Sequence, residues 1–239
     1  MKKDVWKITK LTIVNLITLI RLIGAIILPF IYIHYGVSIV AIWVIILFSS
    51  DMIDGFLARK LNASTFFGSI LDASSDKILN AISFIILGIE YNIMIAPLAI
   101  EISILYTIYS TYRYGGNIQA SIIGKIKTII LDICVILCFI LLSLPSFNIN
   151  SSFIDYVILH TSEYITVLAI ITLIFGIIAL NDYLKKNKEA RSNPKCMDIK
   201  YEEKNRKKIK LIFKQLFDTK YYLKHKNEPI MKQFYIHKV

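Results

Sequence analysis

Apolar residues run through this chain in long blocks separated by short polar breaks. A helix needs about 20 mostly apolar residues to cross roughly 30 Å of hydrocarbon. Six blocks are of that order: about Leu11 to His34, Gly36 to Arg59, Phe67 to Ile89, Ile93 to Arg113, Lys127 to Leu144 and Tyr164 to Tyr183. The pattern predicts an all-α, polytopic membrane protein with six transmembrane helices. The first block is full length, contains Arg21 and lacks a small-residue cleavage site. It is expected to stay in the membrane as an anchor and not to be removed as a signal peptide.

Composition points the same way, with 56% hydrophobic residues and a mean hydropathy of +0.59 over 239 residues. That is far too apolar for a soluble domain of this size. Charge then orients the blocks. The turns at His34 to Gly36, Glu90 to Asn92 and Ser146 to Glu163 contain no Lys or Arg. The opposite side carries Lys2, Lys3, Lys7 and Lys10, then Arg59 and Lys60, then Arg113, Lys125 and Lys127, and finally the tail. The positive-inside rule therefore predicts cytoplasmic termini and an even number of spans.

From Asn181 onward there are 17 Lys or Arg against 7 Asp or Glu, so this end carries +10 of the formal +11. The chain divides into a membrane domain, residues 1–184, and a basic cytoplasmic tail, residues 185–239. Within the tail, "NRKKIKLIFKQLFDTKYYLKHK" interleaves cations with Ile209, Leu211, Ile212, Leu216 and Phe217 at helical spacing. This predicts an amphipathic helix on an anionic membrane surface. A nucleic-acid partner is not expected, because a membrane-tethered basic tail has lipid phosphates at hand. Cys134, Cys138 and Cys196 form no disulfide or metal pattern and read as packing or incidental residues.

The exceptional stretch is "DMIDGFLARKLNASTFFGSILDASSD", residues 51 to 76. On the second predicted helix Asp51, Asp54, Gly55, Ala58 and Arg59 share one face; on the third, Gly68, Asp72, Asp76 and Asn80 form one stripe. A short connection forces the two helices antiparallel, which sets Asp51 opposite Asp76 and Asp54 opposite Asp72. At 1.5 Å rise per residue, Asp51 and Asp76 lie about 12 Å in from the helix ends. Four carboxylates converge in one layer near the cytoplasmic surface.

Each charge at membrane depth costs about 2.5–3.5 kcal/mol, so four like charges need protons or cations. Hard oxygen donors without His or Cys suit Mg²⁺ or Mn²⁺, and four aspartates match the charge of two divalent ions. Magnesium with carboxylates usually accompanies a phosphate or pyrophosphate substrate. The competing reading is a purely structural polar contact with Arg59 or Lys77 as counter-ion. Four aspartates on two facing stripes weigh against it.

The string fits D-x-x-D-G-x-x-A-R-x8-G-x3-D-x3-D at every fixed position and resembles the signature of the CDP-alcohol phosphatidyltransferases. The resemblance covers about residues 11 to 184 and leaves the tail outside. It implies transfer of a phosphatidyl or similar phosphoalcohol group from a CDP-linked lipid such as CDP-diacylglycerol to an acceptor hydroxyl, with release of CMP. It further implies two divalent metals on Asp51, Asp54, Asp72 and Asp76, and Asp76 as general base. By the same resemblance the CDP group is bound by Asp54, Gly55, Ala58, Arg59 and Gly68, with Asn15 and Thr18 of the first helix, and the enzyme is a homodimer.

"NLITLIR", which aligns Asn15, Thr18 and Arg21, and "ASIIGKIKT", residues 120 to 128, resemble segments of the branch of the family whose acceptor is glycerol 3-phosphate. Arg21, Arg113, Lys125 and Lys127 are the candidate acceptor residues, their cations being suited to a phosphate. The alternative for the last three is plain positive-inside flanking. Two departures bear on the acceptor: Glu101 lacks the arginine that usually precedes it in that branch, and Leu131, followed by Asp132, replaces a glutamine. Serine, inositol phosphate and phosphatidylglycerol stay open as acceptors. Asn80 extends the Asp76 stripe and is placed either to hydrogen-bond Asp76 or to make an interhelical contact.

Two rivals share buried carboxylates. A membrane prenyltransferase would need more helices and a second aspartate motif. A cation-coupled transporter would be expected to show broken helices or repeats near the midplane. An Ile-, Lys- and Asn-rich chain fits an AT-rich bacterium, hence a plasma-membrane enzyme with its active site toward the cytoplasm.

Overall fold

A computed structural model describes residues 2–61, 64–114, 121–149, 151–192 and 215–225, and within them all side chains except those of residues 2–14 and 52–59. Every element among the described residues is helical. In chain order they are α1 (Lys2–Lys60), α2 (Phe66–Glu90), a 3-10 turn (Asn92–Met94), α3 (Ile95–Arg113), α4 (Ile122–Ser143), a second 3-10 turn (Leu144–Phe147), α5 (Ser152–Leu159), α6 (Thr161–Ser192) and α7 (Thr219–His225).

The helix α1 is bent back on itself. Thirty residues of straight helix would separate Arg21 from Asp51 by about 45 Å, yet a guanidinium nitrogen of Arg21 lies 2.6 Å from a carboxylate oxygen of Asp51. The reversal is at Gly36, the one non-helical residue within α1, with φ 74° and ψ −179°. Positive φ disfavours any residue with a Cβ, so glycine is what allows the hairpin. The first two predicted helices are its two arms. They approach closely: a Cβ on Gly24 would come 2.7 Å from Leu47.

The arms contribute Ala25, Leu28, Val40, Ala41, Val44 and Leu47 to a core completed by Leu79, Phe84 and Leu87 of α2, Val135 and Phe139 of α4, and Ile165 and Ala169 of α6. A smaller cluster of Ile104, Ala179 and Tyr183 joins α3 to α6. Large apolar side chains also point outward along the long helices, among them Phe30, Ile33, Trp43, Ile102, Ile129 and Ile174. An outward apolar surface is what a bundle solvated by lipid tails presents. Among the described residues, four stretches are long and apolar enough to cross a membrane: Asn15–Asp51, Asn92–Arg113, Ile122–Phe147 and Thr161–Ser192. The first is the hairpin. The 25-residue α2 has the length but is interrupted by Asp72, Asp76, Lys77 and Glu90.

Several boundaries differ from the apolar pattern. The fourth helix begins at Ile122, not Lys127, because the Ser121 hydroxyl accepts from the Gly124 amide at 3.1 Å and caps it. The last long helix runs to Ser192, through the expected domain boundary at residue 184, on polar turns containing Lys185, Lys186, Lys188 and Arg191. A short helix, α5, occupies part of the expected polar connection between Ser146 and Glu163.

In the tail, residues 205–214 and 226 of the expected amphipathic helix lie outside the described residues. The remainder is not one continuous helix. Phe217 and Asp218 interrupt it, and the Asp218 carboxylate accepts from the Lys220 amide at 2.9 Å to start α7. This segment reaches back to the start of α2. The Phe66 ring meets Tyr222 edge-on at 5.0 Å and Tyr221 at 6.1 Å, and Phe67 lies 4.8 Å from Phe217 between ring centroids.

Gly36→Ala should destabilise the protein by about 1–3 kcal/mol, the cost of forcing a Cβ into a positive-φ extended conformation that is essentially glycine's alone, read as a lower Tm in detergent. Tyr222→Ala removes an aromatic contact worth about 0.5–1.5 kcal/mol. Amide exchange in residues 219–225 should then speed up roughly twofold to tenfold, with α4 unaffected by mass spectrometry.

Candidate active site

Two helical segments bring the carboxylates together. Asp51 comes from the second arm of α1, and Asp72 and Asp76, one helical turn apart, from the inward stripe of α2. The start of α2 is set by Thr65, whose hydroxyl accepts from the Gly68 amide at 3.1 Å. One oxygen from each of Asp51, Asp72 and Asp76 lies within 4.8 Å of the others, a group able to hold a metal ion. The expected level pairing of Asp51 with Asp76 is present in this cluster. The side chains of Asp54, Gly55, Ala58 and Arg59 lie outside the described residues; their backbone is helical within α1.

At the centre of the cluster is Arg21. Its Nη1 donates to Asp51 Oδ1 at 2.6 Å, to Asp72 Oδ1 at 3.3 Å and to Asp76 Oδ1. The Arg21 side chain is 0% exposed, whereas the three carboxylates are 41%, 44% and 39% exposed. The cation sits beneath and the carboxylates are open on the other side. Reading from sequence assigned Arg21 to the acceptor, and a signal for its placement here existed. Arg21 and Asp51 are equally distant from Gly36, so a hairpin turning at that glycine sets them level.

Gly68, expected at the CDP site, stands against the first arm. A Cβ there would come 2.9 Å from Asn15 Oδ1 and 3.2 Å from Thr65 Oγ1. Asn15 and Gly68, assigned together from sequence, are therefore neighbours, and Thr18 is buried one turn further along.

A second polar layer links α2, α3 and α4. Asn80 Nδ2 donates to Asp132 Oδ1 at 3.0 Å, so Asn80 makes the interhelical contact and not a bond to Asp76. Lys127 is buried and donates to Glu101, at 2.6 Å to Oε2 and 2.5 Å to Oε1. Arg113 and Lys125 are exposed, so of the four expected acceptor cations these two differ in setting from the buried Arg21 and Lys127. The pairing of Glu101 with Lys127 escaped the sequence reading because nothing local relates a residue of α3 to one of α4. Cys134 and Cys138 are free and buried, in keeping with packing residues.

Residues 11–178 match the family model of the CDP-alcohol phosphatidyltransferases, which takes in the whole of this site. The chain belongs to that family and is an enzyme of its class. It is 33% identical over 129 residues to the CDP-diacylglycerol–glycerol-3-phosphate 3-phosphatidyltransferase of Salmonella choleraesuis strain SC-B67, covering 48% of this chain and 70% of the relative. The protein of the same name from Escherichia coli strain K12 is 32% identical over the same extent. The family is generally dependent on divalent metals, and the hard oxygen set of Asp51, Asp72 and Asp76 fits such an ion.

Removing one partner of a buried ion pair leaves the other charge uncompensated. Lys127→Met should therefore destabilise the protein by roughly 3 kcal/mol, and Lys127→Met with Glu101→Leu should recover most of it, both read from Tm in detergent.

Proposed function

We propose that this enzyme transfers the phosphatidyl group of CDP-diacylglycerol to glycerol 3-phosphate, releasing CMP, at the cytoplasmic face of a bacterial plasma membrane. The observation that carries this reading is the convergence of the Asp51, Asp72 and Asp76 oxygens within 4.8 Å, in a family whose chemistry is phosphatidyl transfer. The names of its relatives supply the donor and acceptor.

In this reading the two arms of α1 and the helix α2 cross the bilayer together with α3, α4 and α6. That makes six spans with both termini cytoplasmic, and the basic tail lies on the anionic membrane surface. Asp51, Asp54, Asp72 and Asp76 hold two Mg²⁺ or Mn²⁺ ions. Held there, the metal supplies positive charge against the donor diphosphate and offsets the charge that develops on departing CMP. Asp54, Gly55, Ala58, Arg59 and Gly68, with Asn15 and Thr18, bind the CDP group. The closeness of Gly68 to Asn15 supports one shared nucleotide wall, since any larger residue at position 68 would fill it.

Asp76 acts as general base. Its carboxylate is on the open side of the cluster, where an acceptor can approach. As the hydroxyl oxygen bonds to the β-phosphorus and the bond to CMP breaks, Asp76 takes the hydroxyl proton. Arg113, Lys125 and Lys127, with Arg21, serve the acceptor phosphate, and the enzyme works as a homodimer. Lys127 is engaged by Glu101, which favours keeping serine, inositol phosphate and phosphatidylglycerol as alternative acceptors of the same chemistry.

The test is CMP release from CDP-diacylglycerol by purified protein with Mn²⁺ and radiolabelled glycerol 3-phosphate, serine, inositol phosphate or phosphatidylglycerol, following the labelled lipid. Glycerol 3-phosphate should give the product. If no acceptor yields a labelled lipid, the transferase reading fails, and a transporter built on buried carboxylates becomes the better account. Asp76→Asn should lower turnover by about 10²–10⁴ while largely sparing donor binding, whereas Asp51→Asn or Asp72→Asn should weaken both. Near-normal turnover in Asp76→Asn would mean that another group takes the proton.

A further inference from the structure

If Asp51, Asp72 and Asp76 are metal ligands, as proposed above, they already have an occupant. We propose that Arg21 is an internal counter-ion that competes with the metal: its guanidinium gathers the three carboxylates before the metal arrives and is released from them when it binds. The inference rests on the metal reading of this site and adds the order in which its charges are matched.

The geometry is unusual for an arginine in an ordinary ion pair. A planar guanidinium commonly meets a carboxylate with two parallel bonds. Here one nitrogen, Nη1, shares its two hydrogens among one oxygen from each of three carboxylates on two helical segments. One small positive centre facing three converging oxygens is the coordination a metal ion would make. A divalent ion held by the same carboxylate oxygens would stand beside that nitrogen. Two cations so close repel strongly where water is scarce. They cannot both hold the same three carboxylates at full strength.

The exposures give the exchange a direction. Arg21 approaches from the buried side, while the carboxylates are partly open on the other. Metal can therefore enter without a path through the bundle and push Nη1 back toward the first arm of α1. Before that, three carboxylates within 4.8 Å need a resident positive charge to stay close at membrane depth. Afterwards the guanidinium remains beside the site, where a substrate phosphate is an anion it can meet. The same arginine would thus serve first as a positioning residue for the ligand set and then as a hydrogen-bond donor to a phosphate. This reconciles its place among the aspartates with the sequence expectation that it faces a phosphate.

The experiment measures Mn²⁺ binding by electron paramagnetic resonance in detergent, without substrate, for wild type, Arg21→Gln and Arg21→Lys. Loss of the competing cation should tighten Mn²⁺ binding in Arg21→Gln by on the order of tenfold, the equivalent of one charge-assisted hydrogen bond. Arg21→Lys, which keeps the charge, should stay within about threefold of wild type. The metal-free Arg21→Gln protein should have a lower Tm than wild type and gain more from Mn²⁺.

Unchanged or weaker Mn²⁺ binding in Arg21→Gln overturns the competition. If wild type shows no saturable Mn²⁺ binding, the metal reading itself falls, an outcome distinct from failure of the competition alone.

Discussion

Three carboxylates brought within 4.8 Å of one another repel, and the arrangement of the bundle around them depends on how that repulsion is offset. The positive charge comes from Arg21, on a different helical segment from any of the aspartates, so the ion cluster ties together both arms of α1 and the helix α2. Burial of Ala25, Leu28, Val44 and Leu47 between the arms supplies the packing that holds Arg21 level with Asp51. Gly36 supplies the turn that makes the level match possible. Hydrophobic packing and ion pairing thus reinforce one register, and a slip of either arm would break both at once.

Much of this was legible along the chain, for reasons that can be named. Apolar blocks of membrane length marked the long helices, since in hydrocarbon a backbone must satisfy its own hydrogen bonds. The four-residue spacing of Gly68, Asp72, Asp76 and Asn80 marked one helical stripe, and antiparallel geometry brought Asp51 to that stripe. What escaped shares a different character. The eight residues of α5 are too short to register against a window of membrane length. Arg21 among the aspartates, Lys127 on Glu101 and Asn80 on Asp132 are contacts between helices, and helical periodicity says which face a residue occupies but not which neighbour it meets. The contact of Phe66 with Tyr221 and Tyr222 joins residues so far apart that no local pattern records it.

The polar layer of Asn80, Asp132, Glu101 and Lys127 lies beside the carboxylate cluster and connects α2 to α4 and α4 to α3. Buried ion pairs of this kind contribute little net stability compared with apolar packing, yet they penalise any arrangement that leaves one member alone. Their effect is on specificity of assembly: apolar helices slide against one another at low cost, whereas a paired lysine and glutamate do not.

The aromatic contacts at the start of α2 have a consequence for how the enzyme comes into being. Phe66 is covered by rings that follow it by some 150 residues, and ribosomes add about 5–20 residues per second. For several seconds or more Phe66 and Phe67 at the start of α2 exist without their cover, while the later helices are still being made. The carboxylate cluster thus draws only on segments made early, α1 and α2, whereas the rings that cover the start of α2 belong to a segment that follows α6 in the chain.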